Sequence, residues 1–161
     1  MRIIGIDPGF GILGWAVTES DQRLIDFGAI HTDTTRDIGK RIYDIHQSLE
    51  EIIQSLRPES AAVERLFFTK NVKTGIEVAK TIGAVILTLK LKHIEYAEYS
   101  PSQVKRALTG YGRAEKFQMM QMVKAVFKLN EIPQPDDAAD AIAVALCHAL
   151  QTSSAVKISG K

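Results

Sequence analysis

An apolar run near the start of the chain, Ile3-Ile4-Gly5-Ile6, is closed by Asp7 and then by Pro8 and Gly9. A strand of that composition reads as buried, and Pro8 ends its ladder and lets the chain turn away. The carboxylate thus arrives at the end of a buried strand, where its charge is costly unless something positive meets it. The pattern recurs: Glu64 closes Ala61-Ala62-Val63, and Asp137 and Asp140 open an apolar stretch running to Leu150. Such acids converging from separate segments would repel one another, and a divalent cation is the usual remedy. Oxygen-only donors suit hard ions such as magnesium or manganese rather than zinc or copper. Four carboxylates can hold two such ions roughly 4 Å apart, one activating a water and one stabilising a leaving oxygen. That is the chemistry of phosphodiester hydrolysis.

Each acid also has a plainer role open to it. Asp7 could serve an Asp-Pro-Gly turn, although a turn leaves the apolar strand before it unexplained. Glu64 could pair with Arg65. Asp137 and Asp140 could be first-turn acids that favour the helix dipole, with Asp136 as the N-cap. Capping uses one acid of the three, whereas an i, i+3 pair on one helix face suits a pair of ligands.

Residues 2–7, 12–19 and 23–31 read as three strands with tight connections. A helix over 37–56 follows from the spacing of Ile38, Ile42, Ile45, Leu49, Ile52, Ile53 and Leu56, and Arg57-Pro58 stops it. Residues 61–64 are a short buried strand, 72–91 a long helix and 94–99 a further strand. A short helix starts at Pro101, is broken at 110–112, and helical spacing resumes over 115–129. The last helix covers about 137–150. Three strands and a helix, then strands alternating with helices, predict an α/β fold with a mixed sheet and helices on both faces. The acids fall at strand ends and a helix N-terminus, where sites gather in such sheets. Residues 1–151 are expected to form the domain and 152–161 an aperiodic, mobile tail.

The 161 residues suit one domain. No apolar run approaches the roughly 18 residues of a membrane span, and the start lacks a signal-peptide layout. One cysteine, Cys147, lies in an apolar helical pattern and reads as a small buried hydrophobe. These features suggest a cytoplasmic protein with no membrane partner. His31, His46, His93 and His148 share no spacing that suggests a site, and each reads as structural.

Charge is unevenly spread. Residues 1–64 hold 6 basic and 11 acidic side chains, residues 65–130 hold 12 and 4, and residues 131–161 hold 2 and 4. A basic middle flanked by candidate metal-binding acids points to a polyanionic substrate. Lys105, Arg106, Arg113 and Lys116 surround Gly110 and Gly112, a place suited to phosphate contacts. Leu66-Phe67-Phe68 follows Glu64 and precedes Lys70 and Lys73. That triplet could be core, or a ring there could stack on an unpaired base. Residues 76–91 are apolar on nearly every side, and one sheet covers only one face of a helix. The face around Val78, Val85 and Leu89 therefore calls for a dimer partner or for deeper intramolecular burial.

Together, GIDPG at 5–9, AVERLF around Glu64, GYGRAEK at 110–116 and DAADA at 137–141 resemble the RuvC family of bacterial Holliday-junction resolvases. The match runs in order across about residues 1–150. The resemblance implies an RNase H-like fold with a five-stranded mixed sheet, and a homodimer that cuts two opposing strands of a four-way DNA junction in recombination and repair. It implies magnesium as cofactor, with manganese able to substitute and one or two ions per subunit. It places the catalytic carboxylates at Asp7, Glu64, Asp137 and Asp140, the functional lysines at Lys105 and Lys116, and the stacking ring at Phe67, with Phe68 a second contact. Its partners would include the branch-migration proteins RuvA and RuvB. Other readings of the motifs are an actin-like or sugar-kinase-like ATPase, a nuclease of structured RNA, and a binding module without chemistry. The ATPase would need a second phosphate loop, which the sequence does not show.

Overall fold

The computed structural model of the chain describes residues 1–65 and 72–159, with side chains through residue 153. Its elements, in order, are β1 (Arg2–Pro8), β2 (Ile12–Glu19), β3 (Leu24–His31), α1 (Ile38–Leu56), β4 (Ser60–Glu64), α2 (Val72–Leu91), β5 (Glu95–Tyr99), α3 (Pro101–Thr109), α4 (Lys116–Val126) and α5 (Asp136–Ser159). The strands lie in the order β3-β2-β1-β4-β5. β1, β2 and β3 pair antiparallel, and β1, β4 and β5 run parallel. This is the mixed sheet expected from the pattern, and each expected strand and helix appears within a few residues of its place except at the end of α5.

Alternation along the strands separates two cores. Ile4, Ile6, Leu13, Val17, Ala61 and Val63 pack against Ile45 and Leu49 of α1 and Val85 and Leu89 of α2. On the other face, Ala16 and Ala62 join Val104 of α3, Val123 of α4 and Ile142 of α5. Ile3 meets Ala145 and Ala149 of α5. The caps follow the local chemistry. Asp37 accepts from the Lys40 N–H at the start of α1, and Arg57 closes it in a left-handed conformation, its N–H donating to Ile53. Ser100 and Gln103 form a capping box at the head of α3, with Pro101 in its first turn.

The approach of α5 to the sheet is unusually close, and small residues allow it. A Cβ on Gly5 would lie 2.2 Å from the Ala141 carbonyl oxygen, and one on Gly14 would lie 1.9 Å from the Asp137 carbonyl oxygen. On the α5 side, alanines fill the contact from Ala138 to Ala149, all of them essentially buried. This close seat sets the height of the first turn of α5 over the ends of β1 and β2.

Three expectations need correction. Val78, Val85 and Leu89 are buried within this one chain, Val85 and Leu89 completely, and these two pack against the sheet and α1. They are not a dimer surface. The outward apolar residues of α2 are instead Val72, Ile76, Leu87 and Leu91. The helix α5 also does not stop near residue 150, but continues to Ser159. Within it the Thr152 hydroxyl donates to the His148 carbonyl at 2.9 Å. Third, Asp136 is the first residue of α5 rather than its cap. The Pro135 carbonyl takes the cap position, accepting from the N–H groups of Ala138 and Ala139. Among the described residues, no helix is long and apolar enough to cross a membrane.

The seat of α5 generates a stability prediction. Gly5→Ala forces a methyl group into backbone that cannot yield, so it should cost at least about 2 kcal/mol. In a chain of this size that corresponds to a melting temperature lower by roughly 4–8 °C. A thermal melt checks it, and an unchanged midpoint would contradict the contact.

Candidate active site

In the parallel pair of β1 and β4, Ile6 lies beside Val63, so Asp7 and Glu64 are the next residues at matching ends of neighbouring strands. Their carboxyl groups share a hydrogen bond. On the other side of β1, Gly14 of β2 stands opposite Asp7. The absent side chain at Gly14 is what admits the Asp137 backbone, and α5 then carries Asp137 and, three residues on, Asp140 to the same end of the sheet. Gly9, in the β1–β2 connection, lines the same place. A Cβ there would lie 3.8 Å from Asp137 Oδ1.

The electrostatics record this convergence. Burial, and then the charges of Glu64, Asp140 and Asp137, push the Asp7 carboxyl up to about 9. Burial likewise raises Glu64, with Asp140 adding to it, while Lys116 and Lys105 pull the other way. Burial raises Asp140 as well, against the opposing pull of Lys116. Burial and mutual repulsion thus favour retention of a proton by the Asp7–Glu64 pair.

Lys116, the first residue of α4, reaches across to α5. Its Nζ lies 2.9 Å from Asp140 Oδ2 and 3.2 Å from Asp136 Oδ2. Burial works against its charge, but Asp140 and Asp136 outweigh burial and keep the ammonium protonated above its ordinary range. This remote pair also explains why Asp136 is not a cap: its carboxylate is turned to the lysine.

Among the described residues, no group of three or more His, Cys, Asp or Glu side chains is arranged to hold a metal ion. The close approach of Asp7 and Glu64 and the Lys116 ammonium beside Asp140 temper the repulsion among these acids. The donor set still fits a hard divalent ion. It is all carboxylate, it converges from three elements, and three of its members are raised above their ordinary range. A cavity of about 550 Å³ lies elsewhere, between the β2–β3 turn and the end of α4, and none of the four acids lines it.

A second lysine, Lys105, also acts on the acids, and further basic side chains are exposed on neighbouring elements. The half-buried Lys105 of α3 is near enough to ease the Glu64 charge. With Pro101, Ser102 and Gly112 it lines a shallow hollow of about 250 Å³. Arg106 is exposed in α3, Arg113 in the α3–α4 connection, and Lys73 in the first turn of α2. Phe67, Phe68 and Lys70 lie outside the described residues. Two exposed rings went unremarked in the sequence: Tyr111 and Phe117 are 60% and 66% exposed, interleaved with Arg113 and Lys116. The signal was available, since aromatics alternating with basic residues mark single-stranded nucleic-acid surfaces. His148 and Cys147 are structural, as expected. The His148 ring lies 2.8 Å from both the Ser60 and Tyr99 hydroxyls, and burial pushes the Cys147 thiol up to about 11.

A mixed sheet with paired acids at adjacent strand ends and further acids on a crossing helix defines the RNase H-like nuclease class. Residues 3–148 match the family model of crossover junction endodeoxyribonuclease RuvC. The chain is 46% identical to the RuvC crossover junction endodeoxyribonuclease of Halothermothrix orenii over 151 residues, 92% of each chain. It is 48% identical to that of Caldanaerobacter subterraneus subsp. tengcongensis, again over 92% of each. Among solved structures, Thermus thermophilus RuvC in complex with a Holliday junction substrate superimposes with a TM-score of 0.90 at 33% identity, covering 96% of each chain. The chain belongs to the RuvC family of crossover junction endodeoxyribonucleases.

The raised Asp7 carboxyl generates a test in EDTA. The unfolded chain loses the Asp7 proton near 3.8, whereas the folded chain keeps it to about 9. Between those values the unfolded state binds fewer protons, so this group's contribution is complete below about pH 4 and is lost as pH rises. Asp7→Asn should therefore melt above wild type without metal, by a margin that widens from pH 5 to pH 8. A margin constant across that range would contradict a proton held on Asp7.

Proposed function

We propose that Asp7, Glu64, Asp137 and Asp140 are the catalytic carboxylates of an endonuclease that resolves four-way DNA junctions. It nicks two opposing strands by metal-dependent hydrolysis, in recombination and repair. The observation that carries this reading is the meeting of four acids from β1, β4 and α5 with Lys105 and Lys116 at one end of the sheet. Family membership supports it.

The four carboxylates would hold magnesium, one or two ions per subunit, with manganese able to substitute. Such ions, when bound, generate the attacking hydroxide and stabilise the leaving oxygen. The protein's own groups do the rest. Asp7 gives up its proton for the site to load, so apparent metal affinity rises with pH. Lys116 stands at the rim, placed to meet the charge of the scissile phosphate once the Asp140 charge is otherwise met. Lys105, Arg106, Arg113 and Lys73 position the backbone, and Tyr111 and Phe117 offer stacking faces beside it. Phe67, Phe68 and Lys70, which follow Glu64 in sequence, are proposed as further DNA contacts on the strength of the family resemblance.

A two-fold substrate calls for two sites, and a second copy of the chain supplies the other. The outward apolar face supports this. Leu87 and Leu91 of α2 are each more than half exposed, and with Ile42, Tyr43 and Ala84 they line a groove of about 230 Å³ between α1 and α2. A cytoplasmic setting and work alongside RuvA and RuvB belong to the same reading.

The deciding experiment is cleavage of a synthetic four-way DNA junction, with duplex DNA and a four-way RNA junction beside it. Paired nicks in magnesium and none in EDTA are expected, on the DNA junction alone. Asp7→Asn should still bind the junction while cutting more than about 100-fold more slowly. Lys116→Ala should cut at least about tenfold more slowly. Equal cutting of duplex, or full activity of Asp7→Asn, would sink the assignment. A Leu87→Asp, Leu91→Asp double variant should sediment as a monomer and leave single nicks, and an intact dimer would rule out that face.

A further inference from the structure

Arg41 carries a guanidinium that is only 3% exposed, on the inward face of α1. It shares the apolar stripe of Ile45, Leu49 and Ile53, where a charge is costly unless fully met. Three groups meet it. Nη2 donates to the Phe10 carbonyl, Nε donates to Thr32 Oγ1 at 3.2 Å, and Nη1 lies 3.8 Å from Glu77 Oε2. The Phe10 ring covers the group, its centre 5.0 Å from Cζ.

These contacts converge on the connection that leaves β1 immediately after Asp7 and Pro8. Phe10 belongs to it. The Thr32 hydroxyl that accepts from Arg41 also lies 3.4 Å from the Gly11 carbonyl, and the Thr32 N–H donates to that same carbonyl at 2.9 Å. Gly9 closes the connection by donating to the Ile12 carbonyl at 3.0 Å, and a Cβ there would lie 3.8 Å from Asp137 Oδ1. Glu77, itself held by Lys80 at 2.9 Å, brings in α2. One side chain thus ties α1 and α2 to the wall of the acid site.

We propose that Arg41 is a positioning residue for the nuclease site: it holds the β1–β2 connection, and with it the end of β1, in register with Asp137. Packing alone does not account for the choice of side chain. Replacing a buried ion by an apolar group of similar volume is often neutral or stabilising. What an apolar group cannot do is reach a backbone carbonyl, a hydroxyl and a carboxylate at once. A lysine does so only in part, because its donors radiate from a single point rather than a planar fork.

The inference rests on the nuclease reading, so its test must separate the two. Wild type, Arg41→Met, Arg41→Lys and Thr32→Val would be compared as full-length proteins, below the melting temperature of each. Junction affinity would be measured in EDTA, and single-turnover cleavage in magnesium with enzyme in excess. Arg41→Met should slow the bound-state cleavage at least about tenfold, as a misplaced site wall does, with affinity within about twofold of wild type. Arg41→Lys should recover part of the rate, and Thr32→Val should show the same split to a smaller degree. Folded Arg41→Met cutting at the wild-type rate would overturn the inference alone. So would rate and affinity falling together, in step with the folded fraction. Where Arg41 variants do not fold, Thr32→Val decides, and an unaltered rate there overturns it. Wild type that cuts no junction sinks both readings.

Discussion

The structure depends on a repulsion it does not relieve with its own carboxylates. Asp7, Glu64, Asp137 and Asp140 are brought together by three elements at one end of a sheet, and burial deepens the cost of charge on Asp7, Glu64 and Asp140. Two features temper that repulsion: the raised affinity of the Asp7–Glu64 pair for a proton and the ammonium of Lys116 beside Asp140. Proton and ammonium can both be displaced, which is what a centre must allow if it is to exchange them for divalent metal and a phosphate.

That arrangement is built from backbone geometry more than from the acids. α5 could not bring Asp137 over β1 if Gly5 or Gly14 carried a side chain, and the alanines of α5 complete the fit. Parallel pairing then makes Asp7 and Glu64 neighbours without further help. Stability and function are therefore coupled through one contact. The same close packing that gives the sheet its second core also fixes the distance between acids, so substitutions far from the cleft in sequence act on it.

Much of this was legible in the sequence because strand and helix periodicities here are strong and their stops are chemically explicit. The apolar run ending at Asp7 and the short run ending at Glu64 named their strands, and Arg57-Pro58 named the end of α1. Phase was harder. Residues 76–91 are apolar on nearly every side, so periodicity showed a helix without showing which stripe meets the sheet. The structure turns Val78, Val85 and Leu89 inward and leaves Leu87 and Leu91 outside. The role of Asp136 depended on Lys116, twenty residues away in sequence, and no local rule contains that pairing. Arg41 was readable but unread: four-residue spacing to Ile45 and Leu49 put a cation in an apolar stripe, which asks for buried partners.

The central proposal is that divalent ions bind among these carboxylates, where Asp7 meets Glu64 and Lys116 meets Asp140. A crystal structure soaked in manganese, with anomalous scattering recorded at the metal edge, tests it most directly. The expected result is density bounded by Asp7, Glu64 and the α5 acids, with the Asp7–Glu64 hydrogen bond gone and Lys116 withdrawn from Asp140. Manganese bound only elsewhere, with that hydrogen bond and the Lys116 contact both intact, would contradict it.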